Sequence, residues 1–317
     1  MDNNKNKLVK VCNVCLRTQW KFLFTSRDRL FNNDEVFTVK CCYYCGLVKL
    51  FPQPTPEKLN VYYPHKKYYS YNTYKENNII FLVRKFLIQQ STKRNFFSRV
   101  ITFIFPLPAI PKLINNGKLL DIGCGGGQTL EILKNLGWNT YGIEIDRTAV
   151  GIARNSGLKN VILGSYTKLN TYPDNYFDVI RLFHVIEHLD DPFYCVKLIY
   201  KKLKKGGRVC IGTPNIDSLV GKLGGTYWFN LDTPRHVYIF PPQTLSKLLK
   251  DNKFLIEDIR YGSGGGLIGT IQYILADRLN IRVSLLTKHW LLLLFYPIDW
   301  VLDRLHLGDV YTITARK

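Results

Sequence analysis

From residue 118 onward the chain switches between two hydrophobic periods. Short apolar runs alternate with stretches whose apolar positions recur every three or four residues. Lys118–Ile122 predicts a first strand, and Thr129, Leu130, Ile132, Leu133 and Leu136 then predict a helix. Asn139–Ile143, Asn160–Leu163, Phe177–Leu182, Arg208–Thr213 and Phe254–Tyr261 predict five further strands. Helices are predicted over Thr148–Asn155, Pro192–Leu203 and Thr244–Leu249, and Asp309–Ala315 alternates as a last strand. Strand–helix alternation of this kind means an α/β fold with a largely parallel sheet. Residues 267–305 interrupt it as an apolar helical insert that includes Leu291–Leu294 and Trp300.

The first 117 residues follow another pattern. Residues 1–10 are polar and read as frayed. Cys12-Asn13-Val14-Cys15 and Cys42-Tyr43-Tyr44-Cys45-Gly46 are two C-x-x-C pairs separated by a strand-rich insert. That spacing suits a zinc ribbon with Cys12, Cys15, Cys42 and Cys45 as a closed structural ligand set and Cys41 as a spare. Pro52, Pro54 and Pro56 make a stiff break. Behind them Tyr62, Tyr63, Tyr68, Tyr69, Tyr71 and Tyr74 are interleaved with lysines, and read as a connector covering the site in preference to a nucleic-acid surface. Residues 79–104 predict one or two amphipathic basic helices with Arg84, Lys85, Lys93 and Arg94. The expected organisation is a ribbon-like module over 1–50, a connector with helices over 51–117, and a catalytic domain over 118–317.

The chemistry centres on Asp121-Ile122-Gly123-Cys124-Gly125-Gly126-Gly127, between the first strand and its helix. Glycines let the backbone approach a ligand, and the helix N-terminus aims unpaired N–H groups at the same point. A Walker loop would need Gly-Lys-Ser/Thr, which is missing, and a dinucleotide loop would need glycine where Gln128 stands. Glu144 ends the second strand about 20 residues past the glycines, the position that faces a ribose. Downstream come Tyr176-Phe177-Asp178-Val179-Ile180, Val185-Ile186-Glu187-His188-Leu189 and Leu203-Lys204-Lys205-Gly206-Gly207-Arg208-Val209.

In that order and spacing these motifs resemble class I S-adenosylmethionine (SAM)-dependent methyltransferases of the ubiquinone-type and small-molecule superfamily, over roughly residues 118–260. With the cysteine module in front, the chain is similar to uncharacterised methyltransferases among bacterial surface-polysaccharide and natural-product enzymes. The resemblance implies a Rossmann-like seven-stranded sheet with an antiparallel last strand. It also implies SAM as cofactor, held by Asp121, Gly123, Cys124, Gly125, Gly127, Glu144, Ile145, Ser165 and Phe183. Relatives often carry an adenine-binding Asp after the third strand. Gly164-Ser165-Tyr166 stands here, so Ser165 and apolar packing on Ile145 are expected to take over.

For the acceptor, the segment Tyr227–Phe240 is too aromatic and polar for a plain linker. If the acceptor is a hydroxyl, His236 is the expected general base, because the deprotonation calls for a pKa near neutrality; the alternative is that His236 only pins its loop to the sheet. Arg235 is expected to pair with an anionic acceptor and Trp228 to stack on it. The resemblance also raises a divalent metal at Glu187 and His188. His184 replaces the acid that would complete such a site, so capping of the following turn is the favoured role.

Composition changes this picture little. The 317 residues carry a net charge of +20, which raises the prior for anionic partners. The Asn/Asp-Pro-Pro-aromatic motif of base N-methylating enzymes is missing after the fourth strand, where Leu182-Phe183-His184 stands. That ranks an RNA methyltransferase below an enzyme acting on a small molecule, and the intact Asp121 and Glu144 rank a non-catalytic SAM-binding protein below it as well. No apolar run follows Met1–Lys10, and Val100–Ile110 and Trp290–Leu302 are Pro-interrupted and short of a membrane span. A cytoplasmic protein is expected, with peripheral membrane contact and a homodimer left open.

Overall fold

The computed structural model describes residues 11–63, 78–93, 95–105, 107 and 110–317. Expectations for residues 1–10, Tyr68, Tyr69, Tyr71, Tyr74 and Arg94 lie outside the described residues. In chain order β1 (Trp20–Asp28), β2 (Asn33–Cys42) and β3 (Val48–Phe51) form an antiparallel sheet. Next come α1 (Pro56–Val61), α2 (Asn78–Thr92) and α3 (Phe96–Ile104). The predicted basic helical stretch is thus two helices, and the side chain of Asn95 caps the second by accepting from Ser98 N at 2.8 Å.

The alternating part follows as β4 (Lys118–Ile122), α4 (Gln128–Asn135), β5 (Asn139–Glu144), α5 (Arg147–Asn155), β6 (Val161–Leu163), β7 (Phe177–Phe183), α6 (Pro192–Lys202) and β8 (Leu203–Pro214). It closes with α7 (Leu219–Gly224), β9 (Tyr238–Ile239), α8 (Pro242–Asp251), β10 (Leu255–Gly262), α9 (Gly266–Leu279), α10 (His289–Arg304) and β11 (Val310–Arg316). The helical insert is therefore a pair, broken where Asn280 turns left-handed at φ +55°. β8 begins earlier than Arg208, because a bulge carries Lys204–Gly207 past β7 while Gly206 N and Lys317 N exchange backbone bonds with Lys317 and Gly207.

The main sheet has the order β10-β11-β8-β7-β4-β5-β6, with β11 antiparallel to both neighbours. From β4 the chain winds outward through β5 and β6, then returns through β7 and β8. That reversal opens a crevice at the carboxyl ends of β4 and β7. β4 is buried on both faces: Leu120 and Ile122 pack with Phe177, Leu182 and Ile211, while Leu119 packs with Leu133, Trp138 and Val150. Full burial of such side chains contributes about 1.5–3 kcal/mol each, and the period of two explains why a short apolar run sufficed to predict this strand.

The N-terminal sheet takes a fourth strand, β9, from far along the chain, paired Val48↔Ile239 and Lys49↔Tyr238. Trp228 and Leu231 pack with Phe37, Val39 and Leu50 beneath it. On the other side Cys12, Cys42 and Leu47 join the same core as Phe240, Leu245 and Leu248. Sheet and acceptor segment thus share their packing.

Candidate active site

The cofactor side is built by β4, the glycine loop and the end of β5. Gly123, Gly125 and Gly127 all have positive φ, at 71°, 54° and 82°. A Cβ at Gly123 would stand 2.4 Å from Val185 and one at Gly127 2.3 Å from Leu158. At Gly125 nothing lies within 4 Å of that position, so the loop is tight underneath and open on its crevice side. Glu144 holds the loop in place: Gly125 N–H donates to one carboxylate oxygen at 2.8 Å and Asp146 N–H to the other at 2.9 Å. Burial raises the Glu144 pKa against the pull of these backbone donors.

Asp121 is buried beside the loop. One of its oxygens accepts from Arg181 Nη1 at 2.7 Å, and the other, Oδ1, has no hydrogen-bond partner among the described residues. Burial raises its pKa, with Arg181 pulling the other way. Sequence reasoning missed Arg181. Its signal was an arginine inside the apolar run Phe177–Phe183, and the register places it directly opposite Asp121.

The remaining expected cofactor residues behave differently. Ile145 is 70 % exposed at the crevice. Cys124 is packed toward Gly142, where a Cβ would stand 2.6 Å from its sulfur. Phe183 sits edge-on to His184 with ring centres 4.5 Å apart. Ser165 spends its hydroxyl locally, accepting from Thr167 N at 3.4 Å and lying 2.7 Å from Thr167 Oγ1, as the cap of a short turn.

The acceptor side is assembled from distant segments. His184 is left-handed at φ +54°, a conformation that costs a non-glycine residue energy and is held by His184 N–H donating to Gly212 O at 2.9 Å. Glu187 is fully buried, accepting from Thr213 Oγ1 at 2.9 Å, with His184 Nδ1 3.2 Å from its other oxygen. Burial works against its charge, but the His184 hydrogen bond and the surrounding imidazoles prevail and hold its pKa at about 2. Burial, reinforced by His236, pushes His188 down to about 4. His188 Nδ1 lies 2.9 Å from Tyr63 OH and 3.1 Å from Arg235 O.

His236 is buried with its ring centre 4.5 Å from that of His188. Its Nδ1 lies 2.7 Å from Asn230 O. A carbonyl can only accept, so Nδ1 carries the proton and Nε2 the lone pair. Nε2 is 4.0 Å from Asp232 Oδ2. One ligand atom each of Glu187, His188 and His236 falls within 4.8 Å of the others, a grouping that fits a divalent cation. His236, not His184, is the third member.

Two expectations are overturned here. Arg235 does not face an acceptor: it is fully buried, forked onto Asp28 at 2.8 and 2.9 Å and onto Asp232 at 2.7 and 2.9 Å. Trp228 does not stack on a ligand: it fills the core under the N-terminal sheet. In both cases a partner in the first fifty residues claims the side chain.

The four cysteine sulfurs also converge within 4.8 Å, with Cys12–Cys45 and Cys15–Cys42 each at 3.4 Å. A tetrahedral zinc with bonds of about 2.3 Å spaces its sulfurs at about 3.8 Å, so the set fits that ion with small adjustment. Hydrogen bonding from Cys45 lowers the Cys12 pKa to about 5, favouring the thiolate that a metal requires.

Comparison with known proteins agrees with this geometry. The family model described as a methyltransferase domain matches residues 90–258. The ubiquinone biosynthesis O-methyltransferase of Aeromonas salmonicida is 28 % identical over 154 residues, which make up 45 % of this chain and 64 % of that protein. The protein of the same name from Pelagibacter ubique is 28 % identical over 164 residues, 49 % of this chain and 68 % of that one. The chain thus spans just under two thirds of the length of the first of these relatives. Among solved structures, a SAM-dependent methyltransferase from Archaeoglobus fulgidus aligns with a TM-score of 0.44 at 23 % identity, covering 73 % of this chain and 99 % of that one. One from Thermotoga maritima aligns with a TM-score of 0.45 at 19 % identity, covering 77 % and 98 %. The family match over more than half the chain, on a seven-stranded sheet with its antiparallel strand inserted beside β8, shows that this chain belongs to the class I SAM-dependent methyltransferases.

Proposed function

We propose that the chain transfers the methyl group of SAM to a hydroxyl of a small molecule, such as a sugar, a polysaccharide precursor or a quinone- or lipid-like compound. The observation that carries the cofactor half is the buried, unpartnered Oδ1 of Asp121 beside a glycine loop open on one side. An orphaned buried acceptor is costly unless a ligand donates to it, and the amino group of SAM is such a donor. When bound, SAM supplies an electrophilic sulfonium methyl. Gly123, Gly125, Gly127 and Cys124 shape the loop around it. Glu144 has acceptor capacity left for ribose hydroxyls, and Ile145 and Phe183 offer apolar surface.

The acceptor must lose a proton as the methyl arrives. His236 takes that role in this reading: its Nδ1–H is fixed on Asn230 O and leaves Nε2 basic. Asp232 Oδ2, 4.0 Å away, stabilises the imidazolium that results. The names of the curated relatives support an oxygen acceptor. The four cysteines would hold one structural zinc, closed to substrate, and metal analysis should return about one equivalent per chain.

His236→Ala should cut turnover by about a hundred-fold or more, while calorimetry with S-adenosylhomocysteine shows unchanged affinity. Affinity that falls in step with turnover would make His236 structural. A second reading draws on the grouping of Glu187, His188 and His236, which could hold a divalent cation that polarises the hydroxyl. Turnover abolished by a chelator and restored by magnesium or manganese would favour it. Methyl-labelled SAM in a fractionated cell extract identifies the acceptor.

A further inference from the structure

Among the described residues α3 and α10 are the two most apolar helices, and both turn apolar residues outward. On α3, Phe96, Phe97, Val100, Phe103 and Ile104 are exposed, Phe96 by 82 %. On α10, Trp290, Leu293, Leu294, Ile298 and Val301 are exposed, Leu293 by 77 %. Each set repeats at helical spacing, so each is one continuous stripe. The helices adjoin: Phe103 packs edge-on to Trp300 with ring centres 5.7 Å apart, Phe105 stacks on Tyr296 at 5.3 Å, and Arg304 donates to Phe103 O. Soluble chains rarely leave such a patch uncovered.

The charges around the patch select its occupant. Residues 77–120 contain no Asp or Glu but seven Lys and Arg, and residues 278–298 contain no acid but Arg278, Arg282 and Lys288. Asp299 and Asp303 of α10 are turned inward, Asp299 buried and Asp303 accepting from Ser263 Oγ at 2.7 Å. Between the helices and the edge strand β10 lies a cleft of about 430 Å³. Arg99, Arg260 and Arg304 line it, with Trp300 and Tyr261, and Asp303 at one side. Arg260 is also paired with Asp258 at 2.6 Å. No helix among the described residues is long and apolar enough to cross a membrane, and α10 carries Pro297.

We propose that this face is an interfacial anchor for an anionic bilayer. The stripes of α3 and α10 would sink into the boundary of the acyl region, with lipid phosphates against the arginines of the cleft. A second copy of the chain fits less well, because a twofold contact would set the same acid-free, basic stretches against each other. β10 runs in the same direction as β4 through two antiparallel pairings, so Gly262 ends at the crevice edge of the sheet. A docked molecule would hold its crevice toward the lipid.

The test is co-sedimentation of the full chain with phosphatidylcholine vesicles, with and without phosphatidylglycerol. Binding is expected only to the anionic vesicles and should fall as salt shortens the Debye length. Each arginine removed from the cleft should weaken it about five-fold. Leu293→Asp with Leu294→Asp should weaken it by about ten-fold or more, with affinity for S-adenosylhomocysteine retained as a check on folding and on the cofactor site. No partition at low salt overturns the proposal. So does equal partition onto neutral vesicles, or partition indifferent to both sets of substitutions. A dimer in sedimentation velocity that Leu293→Asp disperses, without vesicle binding, would make the face a self-interface instead.

Discussion

Gly125 and Glu144 are 19 residues apart and joined by a hydrogen bond from a backbone N–H to a carboxylate; Arg235 and Asp28 are 207 residues apart and joined by a buried ion pair. Those two links characterise the two sides of the crevice. The cofactor side is made largely within one β-loop-α-β unit, with Arg181 of β7 and Val185 just after it as its outside supports. On the acceptor side, Glu187, Thr213 and His236 come from three segments, braced by Tyr63 and by a sheet that begins at Trp20. The N-terminal sheet is therefore a wall of the proposed acceptor site.

The sharpest way to break this contrast is Arg235→Ala. It strands Asp28 and Asp232 as buried carboxylates and should cost about 3–5 kcal/mol in denaturant unfolding. The molecules that remain folded should bind S-adenosylhomocysteine with nearly parental affinity. An equal loss of binding would mean that the two sides are one unit. Glu144→Ala is the complementary test. It removes a charged acceptor worth about 1.5–3 kcal/mol, so affinity should fall about ten-fold to a hundred-fold, with a smaller change in unfolding than Arg235→Ala.

The effect spread most thinly over its variable is one of pH. Asp309 is buried under the insert, where Asn230 Nδ2 donates to it at 2.9 Å, and Asn230 O in turn holds His236. Burial, with Asp299 nearby, raises its pKa from 3.8 to about 7. The folded form thus binds this proton more tightly than the unfolded one. Its contribution is complete below about pH 4 and is lost as pH rises toward about 7. The slope is at most about 1.4 kcal/mol per pH unit. In Asp309→Asn, urea midpoints measured between those limits should show a flatter dependence. An unchanged slope would remove Asp309 as its source.

The difference between the two sides also explains what the sequence could reveal. β4, β5 and the loop between them are local patterns, an apolar run, an acid and glycines at fixed offsets, and the structure returns them within a residue. Ser165 could have been read as a cap, since Ser-Tyr-Thr is a turn signal. Arg181 left a trace as a charge inside a strand. Arg235 and Trp228 left none: in a loop of aromatic and polar residues they look like ligand-binding groups. What makes them core is Asp28 and Phe37, whose proximity no periodicity encodes. For the same reason β9, two residues long, was invisible from its own segment.

The pairing of Val48 with Ile239 has a consequence for how the chain is made. Strand β3 emerges during synthesis roughly 190 residues before its partner. Until then the nascent sheet presents an open edge that carries the apolar Val48 and Leu50, the sort of edge that recruits foreign strands. A closed thiolate cluster at Cys12, Cys15, Cys42 and Cys45 would be complete long before that, holding the early hairpins in register while the edge waits on the ribosome for the segment that covers it.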